Sequence, residues 1–162
     1  MALIISDANI IIDLECAGLT GRIFRLDMDI AVPDLLFHDE LSGHHANLPA
    51  LGLQILELSP ELIEQAGNLC AHHSAAGIYD MFALVLALDR RCPLLTGDKT
   101  LRLLAGEYGV EVFGTLWLME RLYESRLITL EKMAEAYKVM LDSQRRLPKE
   151  EISKQLTRLR RG

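Results

Sequence analysis

Five short, largely apolar runs alternate with longer segments of helical hydrophobic spacing over the first 114 residues of the chain. The LIIS run has no polar alternation, which is typical of a strand buried on both faces of a parallel sheet. Strand and helix patterns follow one another in turn, so the sequence predicts an α/β fold with a mostly parallel central sheet. The predicted strands are LIIS (3–6), AVP (31–33), LQILEL (53–58), PLLT (93–96) and VEVF (110–113), and the predicted helices are 10–17, 35–46, 61–73, 79–90 and 100–106.

From residue 115 onward the hydrophobic spacing is helical. Residues 115–127 and 129–146 each predict a helix. Pro148 and the acids that follow it predict the start of a third helix, because proline and acidic side chains suit a first helical turn. We expect a main domain at residues 1–126 and a helical C-terminal extension at residues 127–162, both within one structural unit.

Composition is that of an ordinary folded chain. Hydrophobic residues make up 50% of the sequence and charged residues 25%. The three cysteines include no C-x-x-C pair, so neither a disulfide framework nor a zinc site is indicated. No basic leader precedes the first strand, and the longest apolar run, MFALVLAL (81–88), is too short to cross a bilayer. We therefore expect a soluble, cytoplasmic protein.

Charge is unevenly distributed along the chain. The net charge is −6, yet residues 141–162 carry seven basic and three acidic side chains. An acidic body disfavours sequence-independent binding to nucleic acid. The tail arginines Arg158, Arg160 and Arg161 could contact an RNA backbone or could simply form a solvated helix end. Both interpretations of this basic tail are open from the sequence.

Two acidic residues lie shortly after predicted strands, a third opens a predicted helix, and a fourth lies one or two turns into the helix that follows AVP. Ligands of parallel α/β sheets bind at the carboxyl ends of the strands, so acids at these positions can share one pocket. Crowded carboxylates raise one another's pKa unless a cation neutralises them, and an all-oxygen site favours Mg²⁺ or Mn²⁺ over zinc. Such an ion activates water and stabilises the leaving oxygen of a phosphodiester. The four acids are Asp7, Glu40, Asp80 and Asp98.

Four segments resemble motifs of the PIN-domain ribonucleases, and particularly of the VapC-type toxins. ISDANIIIDL (5–14) is similar to the family's strand-then-Asp motif, although Ala8 departs from the usual Thr. VPDLLFHDEL (32–41) is similar to the helix that bears the second acid. GIYDMFALVLALDRRCPLLTGDKTL (77–101) is similar to the segment that carries the third and fourth acids. GTLWLMERLYESRLI (114–128) is similar to a helix found in one subgroup of the family.

This resemblance implies a three-layer α/β/α fold with C-terminal helices, in which residues 1–126 form a PIN-like nuclease domain. It also implies cleavage of RNA by a Mg²⁺- or Mn²⁺-dependent endonuclease, acting as a homodimeric toxin that a cognate antitoxin protein inhibits. The four acids would be the catalytic residues and the metal ligands, with Asn9 and Thr96 positioning their carboxylates. Asp39 is an alternative to Glu40, because both belong to the HDE triplet.

The sequence is also compatible with purely structural roles for these acids and with two other functions of the protein. Asp7 and Asp80 could each serve a helix N-terminus, and Asp98 could stabilise the turn at Gly97. A haloacid-dehalogenase-like phosphatase also carries an aspartate after its first strand, although Asn9 stands where its second aspartate is expected. A PIN-like module that only binds partner proteins is a third possibility, although such modules often lose acids that this chain retains.

Overall fold

A computed structural model describes residues 2–162 of the chain. Its centre is a sheet of five parallel strands in the order β3-β2-β1-β4-β5. β1 is the middle strand, and its Ile5 lies opposite Ala31 of β2 on one side and Leu94 of β4 on the other. The strands are β1 (Ala2–Ser6), β2 (Met28–Pro33), β3 (Gln54–Leu56), β4 (Leu94–Leu95) and β5 (Val112–Phe113).

Eleven α-helices and one π-helical segment surround the described part of the sheet. No helix within residues 2–162 is both long enough and apolar enough to span a membrane. The helices are α1 (Ala8–Cys16), α2 (Thr20–Ile23), α3 (Asp34–Leu36), the π-helical segment (Phe37–Leu41), α4 (Ser42–His45), α5 (Leu48–Leu51), α6 (Pro60–His72), α7 (Ile78–Arg90), α8 (Lys99–Glu107), α9 (Thr115–Glu124), α10 (Leu130–Asp142) and α11 (Lys149–Arg161).

Two apolar clusters cover the two faces of the sheet. Consecutive side chains of β1 point to opposite faces, and accordingly Ile4 belongs to one cluster and Ile5 to the other. The Ile4 cluster contains buried residues of α1, α9, α10 and α11, and the Ile5 cluster contains the apolar residues of α7 and α8. The predicted α/β/α fold with a parallel sheet is therefore confirmed, and the C-terminal helices complete one of its outer layers.

The predicted helix over residues 129–146 is too long. The helix α10 ends at Asp142, because Gln144 adopts a left-handed conformation with φ of 63°. The Gln144 N–H donates to the Leu141 carbonyl and the Arg145 N–H donates to the Met140 carbonyl, each over 3.0 Å, which is the Schellman pattern of helix termination. Arg145 and Arg146 consequently lie in a loop between α10 and α11.

The strand order creates a crevice at one edge of the sheet. The chain runs outward from β1 through β2 to β3 and then returns to the other side of β1, where it forms β4 and β5. Ligands of open α/β sheets bind where the strand order reverses in this way, at the carboxyl ends of the strands. Here that position lies at the ends of β1 and β4, directly before Asp7 and Thr96.

Candidate active site

Asp7 is a buried carboxylate at the end of β1, with only 1% of its surface exposed. It caps the N-terminus of α1, since its Oδ1 accepts a hydrogen bond of 3.0 Å from the Ile10 N–H. Its Oδ2 accepts a second hydrogen bond, of 2.5 Å, from the Thr96 hydroxyl. The helix-capping role considered from the sequence is thus real, but it occupies one oxygen only, and the other oxygen points toward β4.

The Thr96 hydroxyl connects the ends of β1 and β4. It donates to Asp7 and accepts a hydrogen bond of 3.0 Å from the Asp98 N–H. Asp98 caps α8 through Oδ2, which accepts from the Leu101 N–H over 2.8 Å. Its Oδ1 accepts no hydrogen bond from any residue of the described chain, so an exposed carboxylate oxygen remains available beside the buried Asp7.

Asp80 is the acid whose charge is linked to the pKa shifts of the site. It lies half-buried in the first turn of α7, and its carboxylate accepts no hydrogen bond from residues 2–162. Burial raises the pKa of Asp80, and the negative charge of Asp98 raises it further. The charge of Asp80 in turn contributes to the raised pKa values of Asp7 and Glu40. The charge of Asp80 is therefore linked to each of the other three acids, which lie on three other elements.

The two acids of the HDE triplet both lie in the π-helical segment, but their contacts differ. Asp39 accepts a hydrogen bond of 2.7 Å from the Tyr79 hydroxyl. Glu40 accepts none from the described residues, and desolvation raises its pKa with further contributions from Asp80 and Asp39. These contacts favour Glu40 over Asp39 as the free acid of this segment.

The donor chemistry of these acids fits a hard divalent cation. None of the four forms an ion pair with a basic side chain of residues 2–162. Across the same residues, no three His, Cys, Asp or Glu side chains are close enough to hold an ion between them. Mg²⁺ keeps several water ligands and commonly takes only one or two carboxylates directly, so a looser arrangement of acids is compatible with it.

Asn9 has contacts that differ from its predicted role. Its side-chain oxygen accepts a hydrogen bond of 3.2 Å from Arg145, and its carbonyl oxygen accepts another of 3.3 Å from the same group. No described carboxylate is hydrogen-bonded to Asn9. Asn9 therefore contacts Arg145, and its predicted role in positioning the carboxylates stays a prediction.

A buried ion pair that was not predicted from the sequence lies beside this site. Asp13 on α1 is 6% exposed, and it accepts a hydrogen bond of 2.6 Å from Arg145 and one of 2.8 Å from the Thr115 hydroxyl. Its charge contributes to the raised pKa of Asp7. A signal was present, because Asp13 stands one helical turn after Asn9 in an otherwise apolar segment.

The buried state of Asp7 predicts a pH dependence of stability in the metal-free protein. Burial, opposed in part by the hydrogen bonds from Thr96 and Ile10, raises the pKa of Asp7 from 3.8 to about 7. The folded state then holds this proton more tightly than the unfolded state, so the favourable contribution is complete below pH ~4 and is lost as the pH rises through about 7. At 1.36 kcal/mol for each pKa unit, the loss is roughly 4 kcal/mol.

Asp7→Asn removes this titration. We expect the variant to gain stability over the wild type as the pH rises from 4.5 to 8, measured by urea unfolding in the presence of EDTA. Asp29→Asn, in strand β2 on the same sheet, serves as the control and should show no such gain. A stability difference between Asp7→Asn and wild type that does not change with pH would contradict the assignment.

Comparison with known proteins identifies the family. A family model described as a PIN domain matches residues 3–161, which is nearly the whole chain. No curated protein matches the chain. The match continues across residue 126 without a break. The predicted division into a main domain and a C-terminal extension stays a prediction.

Solved structures share the fold at low sequence identity. PAE2754 from Pyrobaculum aerophilum is 15% identical, with a TM-score of 0.55 over 76% of this chain and 90% of that one. A PilT N-terminus domain protein, SSO1118, from the hyperthermophilic archaeon Sulfolobus solfataricus is 16% identical, with a TM-score of 0.50 over 73% of this chain and 90% of that one. Together with the parallel sheet and the family match, these similarities lead to one conclusion: the chain belongs to the PIN-domain family.

Proposed function

We propose that this PIN-domain protein is a Mg²⁺- or Mn²⁺-dependent endoribonuclease that hydrolyses RNA phosphodiester bonds. One observation carries the proposal. Asp80 is a half-buried carboxylate without a hydrogen-bond donor, it is electrostatically coupled to Asp7, Asp98 and Glu40, and no described basic residue pairs with any of them. Carboxylates that are ionised without a counter-charge destabilise a fold unless they bind a cation.

Each acid would have a distinct part in the reaction. Asp7, fixed by Ile10 and Thr96, would supply a rigid ligand, while Asp80 and Asp98 would supply the oxygens that are free of protein donors. Glu40, whose pKa is raised, would accept a proton from the attacking water. A bound divalent ion would lower the pKa of its water and stabilise the negative charge on the leaving oxygen.

The proposal extends to the biological role of the protein. We assign the protein to the toxin half of a toxin–antitoxin pair, acting as a homodimer that a cognate antitoxin inhibits. The resemblance of four segments to the VapC-type toxins supports this assignment. Induced expression should arrest growth of a bacterial host, and Asp80→Asn should relieve the arrest; arrest that persists with Asp80→Asn would contradict the toxin assignment.

Metal binding provides the direct test of the proposed site. Mn²⁺ should raise the melting temperature of the wild type, because a ligand that binds only the folded state stabilises it by RT ln(1 + [L]/Kd). The increase should be larger at pH 8 than at pH 6, since the pKa of Asp7 is raised to about 7 and a ligand carboxylate must be ionised. Wild type should also cut single-stranded RNA only when Mn²⁺ or Mg²⁺ is present.

The same assays distinguish the other functions. Stabilisation by Mn²⁺ without RNA cleavage, together with steady hydrolysis of a small phosphate ester, would favour the phosphatase. Failure of Mn²⁺ to change the melting temperature at either pH would favour a module that only binds proteins. Either result would overturn the nuclease proposal.

A further inference from the structure

A groove crosses the turn that joins β4 to α8. It consists of two adjoining cavities of about 320 and 440 Å³ that have Asp13, Gly97 and Arg146 in common. The first cavity is also lined by Asn9 and Asp98, and the second is also lined by Arg102 and Trp117. Both cavities therefore border the loop between α10 and α11, and the first also reaches Asp98 of the proposed nuclease site.

Two arginines in this groove carry positive charge that the protein does not neutralise. Arg102 is exposed on α8, where its guanidinium donates a hydrogen bond of 3.5 Å to the Thr96 carbonyl oxygen. Arg146 is exposed on the loop that the left-handed Gln144 creates. Neither arginine forms an ion pair within residues 2–162.

The other acids that line the groove are already paired. Arg145 neutralises Asp13 over 2.6 Å, and Lys154 lies 3.5 Å from Glu151. Asp98 remains as the acid at the end nearest the proposed metal site. The groove thus combines one acid, Asp98, with two arginines, Arg102 and Arg146, all unpaired among the described residues, on a protein whose overall net charge is −6.

We propose that this groove binds the phosphodiester backbone of single-stranded RNA next to the bond that is cut, with Arg102 and Arg146 contacting the phosphates. The inference rests on the proposed function and adds the path of the substrate to it. Arginine is well suited to phosphate, because its planar guanidinium donates two parallel hydrogen bonds. Cavities of this size are typical of small-ligand sites, so they suit part of one strand and not a duplex.

Gly97 provides an independent way to obstruct the groove. A Cβ built on this residue would meet no atom within 4 Å, and its backbone does not use a positive φ. The first carbon of a side chain at this position would therefore meet no clash, and the backbone conformation does not require glycine. Because Gly97 lines both cavities, Gly97→Leu would fill space where the RNA backbone passes.

RNA binding in the absence of metal tests the inference. A labelled single-stranded oligoribonucleotide would be titrated with protein in EDTA and followed by fluorescence anisotropy at several salt concentrations. The double variant Arg102→Gln/Arg146→Gln should bind at least ~10-fold more weakly, and the slope of log K against log salt should fall by roughly 1.4 for two lost phosphate contacts. Gly97→Leu should weaken binding while the slope is preserved, since both arginines remain.

The matched control is Arg160→Gln/Arg161→Gln, which removes the same charge from the end of the basic tail. It should retain wild-type affinity and slope. If the tail variant loses as much affinity as the groove variant, the tail or the overall charge binds RNA and the inference is overturned. If the groove variant binds and cuts RNA like the wild type, the inference fails alone; if the wild type neither binds nor cuts RNA, the proposed function fails with it.

Discussion

Asp80→Asn is expected to lower the rate of metal-dependent RNA cleavage by more than ~100-fold, since even groups outside a metal's coordination sphere are commonly worth ~10- to 100-fold. Asp80 is the acid in electrostatic contact with all three others, and asparagine keeps its shape while removing the charge. Cleavage of a labelled RNA with Mn²⁺ measures the rate.

The same variant should keep or raise the stability of the metal-free protein. Burial and the charge of Asp98 raise the pKa of Asp80, so its ionised form costs stability as the pH rises above its ordinary range. Asp89→Asn, at the exposed C-terminal end of the same helix α7, is the matched control and should change neither cleavage nor melting temperature. Wild-type cleavage by Asp80→Asn would exclude Asp80 from the reaction.

Stability and the proposed activity oppose one another at this site. Asp7 is ionised only at a cost, because it is buried next to other acids, and the structure supplies hydrogen-bond donors but no counter-charge. Loss of cleavage together with a gain in stability is therefore the expected signature of Asp7→Asn. Residues that break the usual rules of burial in this way are typically retained for function.

The fold was largely predictable because its signals are local. An apolar strand without alternation, such as residues 3–6, must be covered on both faces, and five such runs separated by helical segments leave few arrangements. The strand order was not predicted, since pairing joins residues far apart in the chain. The short helices α2 and α5 were also missed, because four residues carry too little periodicity to stand out.

Asp7, Asp80 and Asp98 could be proposed as site residues for the same reason, since each follows a strand or opens a helix, and their role stays a prediction. The buried ion pair beside these acids was not predicted. Arg145 contacts Asp13 across 132 positions of sequence, from the loop that begins where the left-handed Gln144 ends α10. Nothing in the hydrophobic spacing of residues 129–146 indicates that turn. The sequence therefore indicated only a basic tail over residues 141–162. The basic side chain that pairs with Asp13, Arg145, lies in the loop before α11.

The buried ion pair leads to the second large effect: Arg145→Met should destabilise the protein by about 2–3 kcal/mol. Removing one partner of a buried pair leaves the other charge uncompensated, at a cost of 3–5 kcal/mol for a fully buried pair. The side chain of Asp13 is 9% exposed and that of Arg145 is 25% exposed, so the expected value lies somewhat lower. For a chain of this length, the melting temperature should fall by roughly 4–12 °C.

A double-mutant cycle with Asp13→Asn separates the charge effect from lost packing. Asparagine can still accept the Thr115 hydrogen bond, so Asp13→Asn/Arg145→Met should be more stable than the sum of the two single changes predicts, by about 1–3 kcal/mol. Arg158→Met is the control, because Arg158 is 61% exposed where it pairs with Glu120, and exposed pairs contribute about 1 kcal/mol or less. Equal costs for Arg145→Met and Arg158→Met, or strictly additive effects in the cycle, would show that Arg145 does not stabilise the fold by compensating the charge of Asp13.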